Sequence, residues 1–140
     1  MPTIYNSTGH TTGEECSSTY EGRHITLLGS AVSTVSKKAS TGVVTGEPCL
    51  FGDEGVGVCF DTIAHADLAT KVTAVDTEGI WWLNVVTSAT MAPGDIVYIH
   101  NTNFNLTDTS TTARRFGYVV ADVASGTGSA VLACVKVHKG

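Results

Sequence analysis

Charged residues are scarce in this sequence, and positive charge is the scarcer kind. Asp, Glu, Lys and Arg make up 15% of the 140 residues, and the formal net charge is −5. Proteins that bind nucleic acid need clustered Lys and Arg to contact phosphates. The sequence has two basic pairs, Lys37-Lys38 and Arg114-Arg115, and two pairs do not form a patch. We therefore predict that nucleic acid is not a direct partner.

Long apolar runs are absent as well. No stretch approaches the length of about 20 apolar residues that a membrane-spanning helix requires. The first residues, Met1 to Tyr5, lack the basic region and apolar run of a secretory signal. We therefore expect no membrane partner and synthesis in a reducing cytoplasm.

Patterns that would hold a metal or activate a nucleophile are also missing. The four cysteines have no C-x-x-C spacing, and no histidine is spaced for metal binding with a second histidine or cysteine. Asp61 and His65 could share a helix face, but two ligands do not make a metal site. There is no G-x-S-x-G elbow and no phosphate-binding loop. We therefore predict no metal, no cofactor and no enzymatic activity.

The residues that are abundant indicate a β protein. Thr, Val and Gly dominate and strong helix formers are sparse. About eight short strands are predicted, joined by turns such as Ala92-Pro93-Gly94-Asp95, which fits a type II turn. Residues 31–37 are ambiguous, and residues 61–69 support at most one or two helical turns. The pattern predicts an all-β fold, either a β-sandwich or a small β-barrel.

The stretch Gly46 to Val58 is the clearest local pattern and predicts a β-hairpin. Pro48 can open a strand, and residues 52–55 supply the turn chemistry. Val56 and Val58 share one face of the second strand, which leaves Gly55 and Gly57 on a nearly bare face. That face could pack internally or against a neighbouring subunit. Cys49, Cys59 and Cys134 are typical of buried thiols, although a bridge between Cys49 and Cys59 stays open.

The heaviest predicted strand is Ile80 to Val86, which contains both tryptophans. Trp81, Leu83 and Val85 share one face and are expected to point into the core. Trp82 lies on the other, mixed face. It is either covered by a loop or by the N-terminal segment, or exposed as part of an interface.

Residues 1–23 form a segment of different composition. They are rich in Thr, Ser, Gly and Glu, with few apolar residues beyond Ile4 and Tyr5. Such a segment cannot bury enough apolar surface to order itself alone. We predict an extended arm at residues 1–23 and a folded body at residues 24–140. The arm is expected to be disordered in an isolated domain and to dock on a neighbour in an assembly.

The landmarks also occur in a recognisable order. Gly46-Glu-Pro-Cys-Leu-Phe-Gly52 is followed by Gly55-Val-Gly-Val58, Glu78-Gly79, Gly94-Asp-Ile-Val-Tyr98 and a terminal strand at residues 131–137. This order resembles the phage capsid cement, or decoration, proteins of the family known as domain of unknown function 2190. The resemblance spans roughly residues 40–137. The polar arm and Trp81-Trp82 depart from the usual pattern.

The resemblance implies a jelly-roll-like β-sandwich or small barrel that assembles as a dimer or trimer. It implies binding to the major capsid protein on the outside of a tailed-phage shell, bracing the shell against packaged DNA. Synthesis would take place in the cytoplasm of the host bacterium. We predict that the interface includes Ile4, Tyr5, Trp82, Arg114 and Arg115. The alternative function is a carbohydrate- or receptor-binding β module of a phage tail fibre or adhesin.

Overall fold

The computed structural model describes residues 24–138, so residues 1–23 and 139–140 lie outside the described part. The described chain forms eleven strands: β1 His24–Leu28, β2 Gly42–Val43, β3 Pro48–Phe51, β4 Gly55–Cys59, β5 Ile63–Ala64, β6 Val72–Asp76, β7 Ile80–Thr87, β8 Ile96–His100, β9 Leu106–Thr107, β10 Ala113–Val119 and β11 Ser129–Val137. The prediction of an all-β fold is confirmed. The division into arm and body stays a prediction.

The strands form a closed barrel and a separate open sheet. The barrel has the order β10-β11-β7-β9-β8 and closes through antiparallel pairing of β8 with β10. The open sheet has the order β1-β6-β4-β3, and β2 pairs with β5 in a small ribbon. A closed barrel has no edge strands, which makes it a rigid support for exposed residues. This strand order does not establish the jelly-roll topology that the resemblance implies.

The strand count exceeds the predicted eight because three of the eleven strands, β2, β5 and β9, are only two residues long. Residues 61–69 contain β5 and one 3-10 turn at His65–Asp67, within the limit of one or two helical turns that the sequence predicts. The ambiguous residues 31–37 reach into a four-residue helix, α1 Val35–Lys38. Its N-cap is Thr34, whose hydroxyl accepts a hydrogen bond from the Lys37 amide at 3.0 Å.

The hairpin of β3 and β4 lies between two hydrophobic clusters. Leu50, Val56 and Val58 belong to the barrel core, together with residues of β7, β8, β10 and β11. Cys49 and Cys59 face the other way and pack with Val75 of β6 in the sheet core. Both faces of the hairpin are therefore buried, which joins the barrel and the sheet into one unit.

The bare face of the hairpin packs internally. A Cβ atom at Gly57 would lie 2.5 Å from Cγ1 of Val75 and 2.7 Å from the carbonyl oxygen of Asp76. A Cβ atom at Gly55 would collide with the ring of Phe51. Gly57 is therefore needed for the close approach of β6, and Gly55 for that of the Phe51 ring. Of the two alternatives that the sequence left open, internal packing and packing against a neighbouring subunit, the structure shows internal packing.

Cys49 and Cys59 are free thiols on the sheet side of the hairpin, and both are buried, as predicted. Cys134 is only half-buried, because it lies at an even position on the outer side of β11. A hydrogen bond with the Cys59 thiol, reinforced by burial, raises the pKa of Cys49 well above its usual range. A thiol held in this protonated state is a poor nucleophile. The pair therefore acts as part of the hydrophobic core and not as a reactive centre.

Two sets of contacts join the barrel to the hairpin: hydrogen bonds at the turn of the hairpin and an aromatic contact at its open end. Arg114 of β10 donates through Nη1 to the carbonyl oxygens of Gly52, Gly55 and Phe51, at 3.0, 3.2 and 3.4 Å. At the other end, the ring of Phe60 meets Trp81 edge-on, with centroids 5.3 Å apart. A charged donor shared among the carbonyls of a tight turn holds the turn against the barrel wall.

The motif residue Glu47 has a comparable structural task. Its carboxylate accepts hydrogen bonds from the backbone amides of Val44, at 2.8 Å, and Ser36, at 3.0 Å. It therefore joins the first turn of α1 to the turn that precedes β3. This contact explains why a carboxylate suits the G-E-P stretch.

We expect replacement of Arg114 by Met to destabilise the fold. The hydrogen bonds of a charged donor contribute about 2 kcal/mol, and the change leaves the turn carbonyls without it. Denaturant unfolding of the variant measures the difference. The matched control is Arg115→Met, because within the described residues Arg115 donates a single hydrogen bond, to the carbonyl of His138 at 3.3 Å. Equal stability of the two variants would contradict this role for Arg114.

We expect Gly57→Ala to destabilise the fold by steric overlap. The added methyl group meets Val75 and the backbone of Asp76, and overpacking of this kind costs about 1–3 kcal/mol. The control is Gly52→Ala, where an added Cβ meets nothing within 4 Å and only the positive φ of 56° opposes it. Thermal unfolding should rank the Gly57 variant below the Gly52 variant. The reverse order would mean that β6 can move away at little cost.

Candidate interface

The two longest strands, β7 and β11, pair along one wall of the barrel. Their antiparallel register runs from Ser129 opposite Thr87 to Lys136 opposite Ile80. Side chains on a strand alternate between its two faces, so one set points into the barrel and the other into solvent. Leu83 and Val85 of β7 are buried, and Trp81 packs against the same core, as the sequence predicted. The even-numbered residues of β7 and β11, which alternate with these inward-facing side chains, therefore form the outer face of the wall.

That outer face exposes an unusual amount of apolar surface. Trp82 is 68% exposed, Leu132 60% and Ile80 57%. Trp82 lies directly opposite Cys134, so Leu132 is its diagonal neighbour across the two strands. We call Ile80, Trp82 and Leu132 the apolar face. Three large exposed side chains grouped on one wall are typical of a binding surface, whereas single exposed apolar residues are ordinary.

Positive charge borders the apolar face at one end. Lys136 lies opposite Ile80 on one side and opposite Tyr118 on the other. The Tyr118 ring meets the ring of His138 edge-on at 5.8 Å, and Arg115 donates to the His138 carbonyl at 3.3 Å. The apolar face therefore has a basic rim formed by Arg115 and Lys136.

Two other lysines of the described chain have partners within the fold, whereas Lys38 is exposed. Lys37 donates to the carbonyl oxygens of Val32, Ser30 and Gly29 at 2.6, 3.0 and 3.1 Å, and burial lowers its pKa. Lys71 forms an ion pair with Asp67 at 3.5 Å. The basic rim is therefore a local feature of an otherwise acidic chain.

The five residues of the predicted interface do not all lie on one surface of the described structure. Trp82 lies at the centre of the apolar face, and Arg115 lies in its rim. Arg114 turns toward the hairpin and contacts three backbone carbonyls, so its guanidinium serves the fold. Ile4 and Tyr5 lie outside the described residues. The interface itself stays a prediction.

Sequence reasoning missed Leu132 and gave no role to Ile80. Both could have been found from the period-two pattern. The odd-numbered residues of β11, Val131 to Val137, form a complete apolar face, so Leu132 at an even position must point outward. Ile80 shares the parity of Trp82 on β7. β10 begins at Ala113, so Arg114 and Arg115 both lie within a strand.

Two kinds of feature are absent from the part of the chain that the structure describes, a cluster of metal-ligating side chains and a membrane-spanning helix. Within residues 24–138 no group of three or more His, Cys, Asp or Glu side chains is arranged to hold a metal ion. No helix in this part of the chain is long and apolar enough to cross a membrane. The arrangement that stands out is a rigid barrel wall that presents apolar side chains beside a basic rim.

Comparison with known proteins agrees with a binding role. The model of a family described as phage cement protein matches residues 28–135, which is more than half of the chain. The match does not extend to the narrower label, domain of unknown function 2190, which stays a prediction. Searches of curated proteins and of solved structures gave no match. The matched family is that of a structural component of the phage capsid, and this chain belongs to the phage cement protein family.

Proposed function

We propose that this protein binds the outer surface of a tailed-phage capsid through the apolar face and braces the shell against the pressure of packaged DNA. The observation that carries the proposal is the exposed cluster of Ile80, Trp82 and Leu132 on a rigid wall of a cement-family chain. A cement protein acts by burying surface against its partner. The apolar face is the part of the described chain with the most to gain from burial, at about 25 cal/mol per Å² of apolar area.

The rim suggests the chemistry of the partner surface. Arg115 and Lys136 would meet acidic groups around an apolar centre, which favours correct orientation more than it adds affinity. Each contact can be modest, because a symmetric shell presents many equivalent sites and holds many copies. The partner in this proposal is the major capsid protein.

Three further features belong to the same proposal. The chain assembles as a dimer or trimer near a symmetry axis of the shell. The arm at residues 1–23, with Ile4 and Tyr5, docks on a neighbouring subunit and adds contact area. Synthesis takes place in the host bacterial cytoplasm, which suits the free thiols of Cys49 and Cys59.

We expect Trp82→Ala to weaken capsid binding while leaving the fold intact. A buried Trp at the centre of an interface contributes about 2 kcal/mol or more, which corresponds to about 30-fold in affinity. Co-sedimentation of the purified variant with expanded capsid shells measures binding, and thermal unfolding measures the fold. Leu132→Ala should behave in the same way to a smaller extent.

The control for this experiment is Val72→Ala. Val72 is also exposed, at 41%, but it lies on β6 in the open sheet and not on the barrel wall. Sedimentation equilibrium of the same variants without shells separates capsid binding from self-association. A Trp82 variant that binds shells normally, or that changes only the oligomeric state, would contradict the seating of the apolar face on the capsid.

We expect removal of residues 1–23 to leave a folded body that binds shells more weakly. Both hydrophobic clusters lie within the described residues, so the truncated chain retains its core. Circular dichroism and thermal unfolding test the fold, and co-sedimentation with shells tests binding. Undiminished binding by the truncated protein would exclude the arm from the interface.

A further inference from the structure

A cleft lined by both polar and apolar groups lies at one end of the barrel, beside Val86 of β7. Its volume is about 510 Å³, and the residues that line it are Val86, His100, Asn103, Asn105, Thr107, Thr109, Thr111, Thr112 and Gly128. Val86 is four residues beyond Trp82 on β7, or about 13 Å at the rise of a β-strand. The cleft is therefore separate from the centre of the apolar face.

The lining is rich in hydrogen-bonding groups and carries no Asp, Glu, Lys or Arg. Threonine hydroxyls and asparagine amides can both donate and accept hydrogen bonds. An anionic ligand would find no lysine or arginine in this lining, and Val86 and the threonine methyl groups give it apolar surface beside its polar groups. The ligand that suits the lining is neutral and combines hydroxyl groups with apolar C–H surface.

The walls of the cleft are held by backbone hydrogen bonds. The amide of His100 donates to the Asn105 carbonyl at 2.9 Å, and the amide of Asn101 donates to the Thr112 carbonyl at 2.8 Å. On the opposite wall, the Gly128 amide donates to the Thr87 carbonyl at 2.8 Å. A cleft that is formed before binding loses less entropy when a ligand enters.

Several lining side chains are held by one atom and have another left for a ligand. Nδ1 of His100 accepts from the backbone amides of Thr102 and Asn103, at 3.2 and 3.3 Å, which places the proton of the neutral ring on Nε2. Oδ1 of Asn103 accepts from the Asn105 amide at 3.0 Å and leaves its NH₂ group to donate. Oγ1 of Thr107 accepts from the Thr109 amide at 3.1 Å and leaves its O–H to donate.

The backbone around the cleft is also strained. Four residues other than glycine have positive φ in residues 24–138. One of them, Thr112, lines the cleft, and Phe104 and Thr127 are each adjacent in sequence to a lining residue. A β-branched residue in the left-handed region is disfavoured and is kept only where its surroundings impose it. Thr112 and Thr127, at φ of 54° and 53°, are two such residues. Strained backbone of this kind is often found at ligand-binding sites, which agrees with a binding role for the cleft.

We propose that this cleft binds neutral carbohydrate. The inference does not depend on capsid binding, since it concerns the isolated chain. No aromatic side chain lines the cleft for a sugar to stack on, so binding to one copy should be weak, with a Kd of about 1 mM. Many copies on one particle would raise the overall avidity by about 10²–10⁴.

The test is a titration of the ¹⁵N-labelled full-length protein with saccharides, followed by NMR. The probes are neutral mono- and oligosaccharides of hexose and N-acetylhexosamine, with sialylated and uronic-acid oligosaccharides as the anionic comparison. We expect neutral sugars to shift the amide signals of residues 100–112 and 126–128. We expect Asn105→Ala to raise the Kd about 5-fold, the effect of one lost hydrogen bond.

The matched control is Asn84→Ala, the same change at an exposed position on the outer wall of β7. Both variants should keep the thermal stability of the parent protein, because both side chains are exposed. Four results would overturn the proposal: no shift with neutral sugars up to about 50 mM, far above the expected Kd; shifts that map outside the cleft; tighter binding of anionic sugars; or unchanged affinity of the Asn105 variant.

Discussion

The structure depends on burying both faces of one hairpin. Leu50, Val56 and Val58 complete the barrel core, while Cys49 and Cys59 complete the core of the open sheet. Because the side chains of a strand alternate, each residue of β3 and β4 is committed to one cluster or the other. Gly57 allows β6 to approach closely enough to seal the second face. Without this hairpin the barrel and the sheet would be two smaller units, each with less apolar surface to bury.

The contacts at the two ends of the hairpin follow from the same arrangement. Arg114 reaches from the barrel to the carbonyls of the turn, and the Phe60 and Trp81 rings meet at the other end. These contacts fix the orientation of the sheet relative to the barrel. A barrel held in this way leaves the β7–β11 wall free to present side chains that do not serve the core. The side chains of the apolar face belong to neither hydrophobic cluster, so the stability of the core does not depend on them.

The two proposed binding surfaces lie on different parts of the barrel: the capsid-binding face on the β7–β11 wall and the carbohydrate-binding cleft at one end. The wall carries Ile80, Trp82 and Leu132, which suit a protein partner that buries apolar area. The end carries threonine and asparagine side chains, which suit a neutral ligand that keeps hydrogen bonds. A protein that lies on the outside of a shell has one surface against its support and another toward the surroundings. The two kinds of lining are compatible with those two environments.

Sequence patterns predicted correctly those features that depend only on residues close together in the chain. The inward face of β7 and the turn at residues 92–95, where the Asp95 amide donates to the Ala92 carbonyl at 3.0 Å, both follow from neighbouring residues. The same period-two reasoning, applied fully to β11, would have placed Leu132 outside. The short helical window at residues 61–69 was harder, because pairing of β5 with β2 competes with helix formation there.

The fold class, the alternation within each strand and the turn chemistry could be predicted from the amino-acid sequence, because these depend on residues a few positions apart. The order of landmarks that is typical of the family could be recognised there as well. Three features became known from the folded chain alone: the bare face of the hairpin packs internally, Arg114 binds the turn at residues 52–55, and Trp82 and Leu132 become neighbours. Each of these depends on which distant strands pair and in which register. That choice is made by burial of the whole chain and cannot be deduced from any one segment.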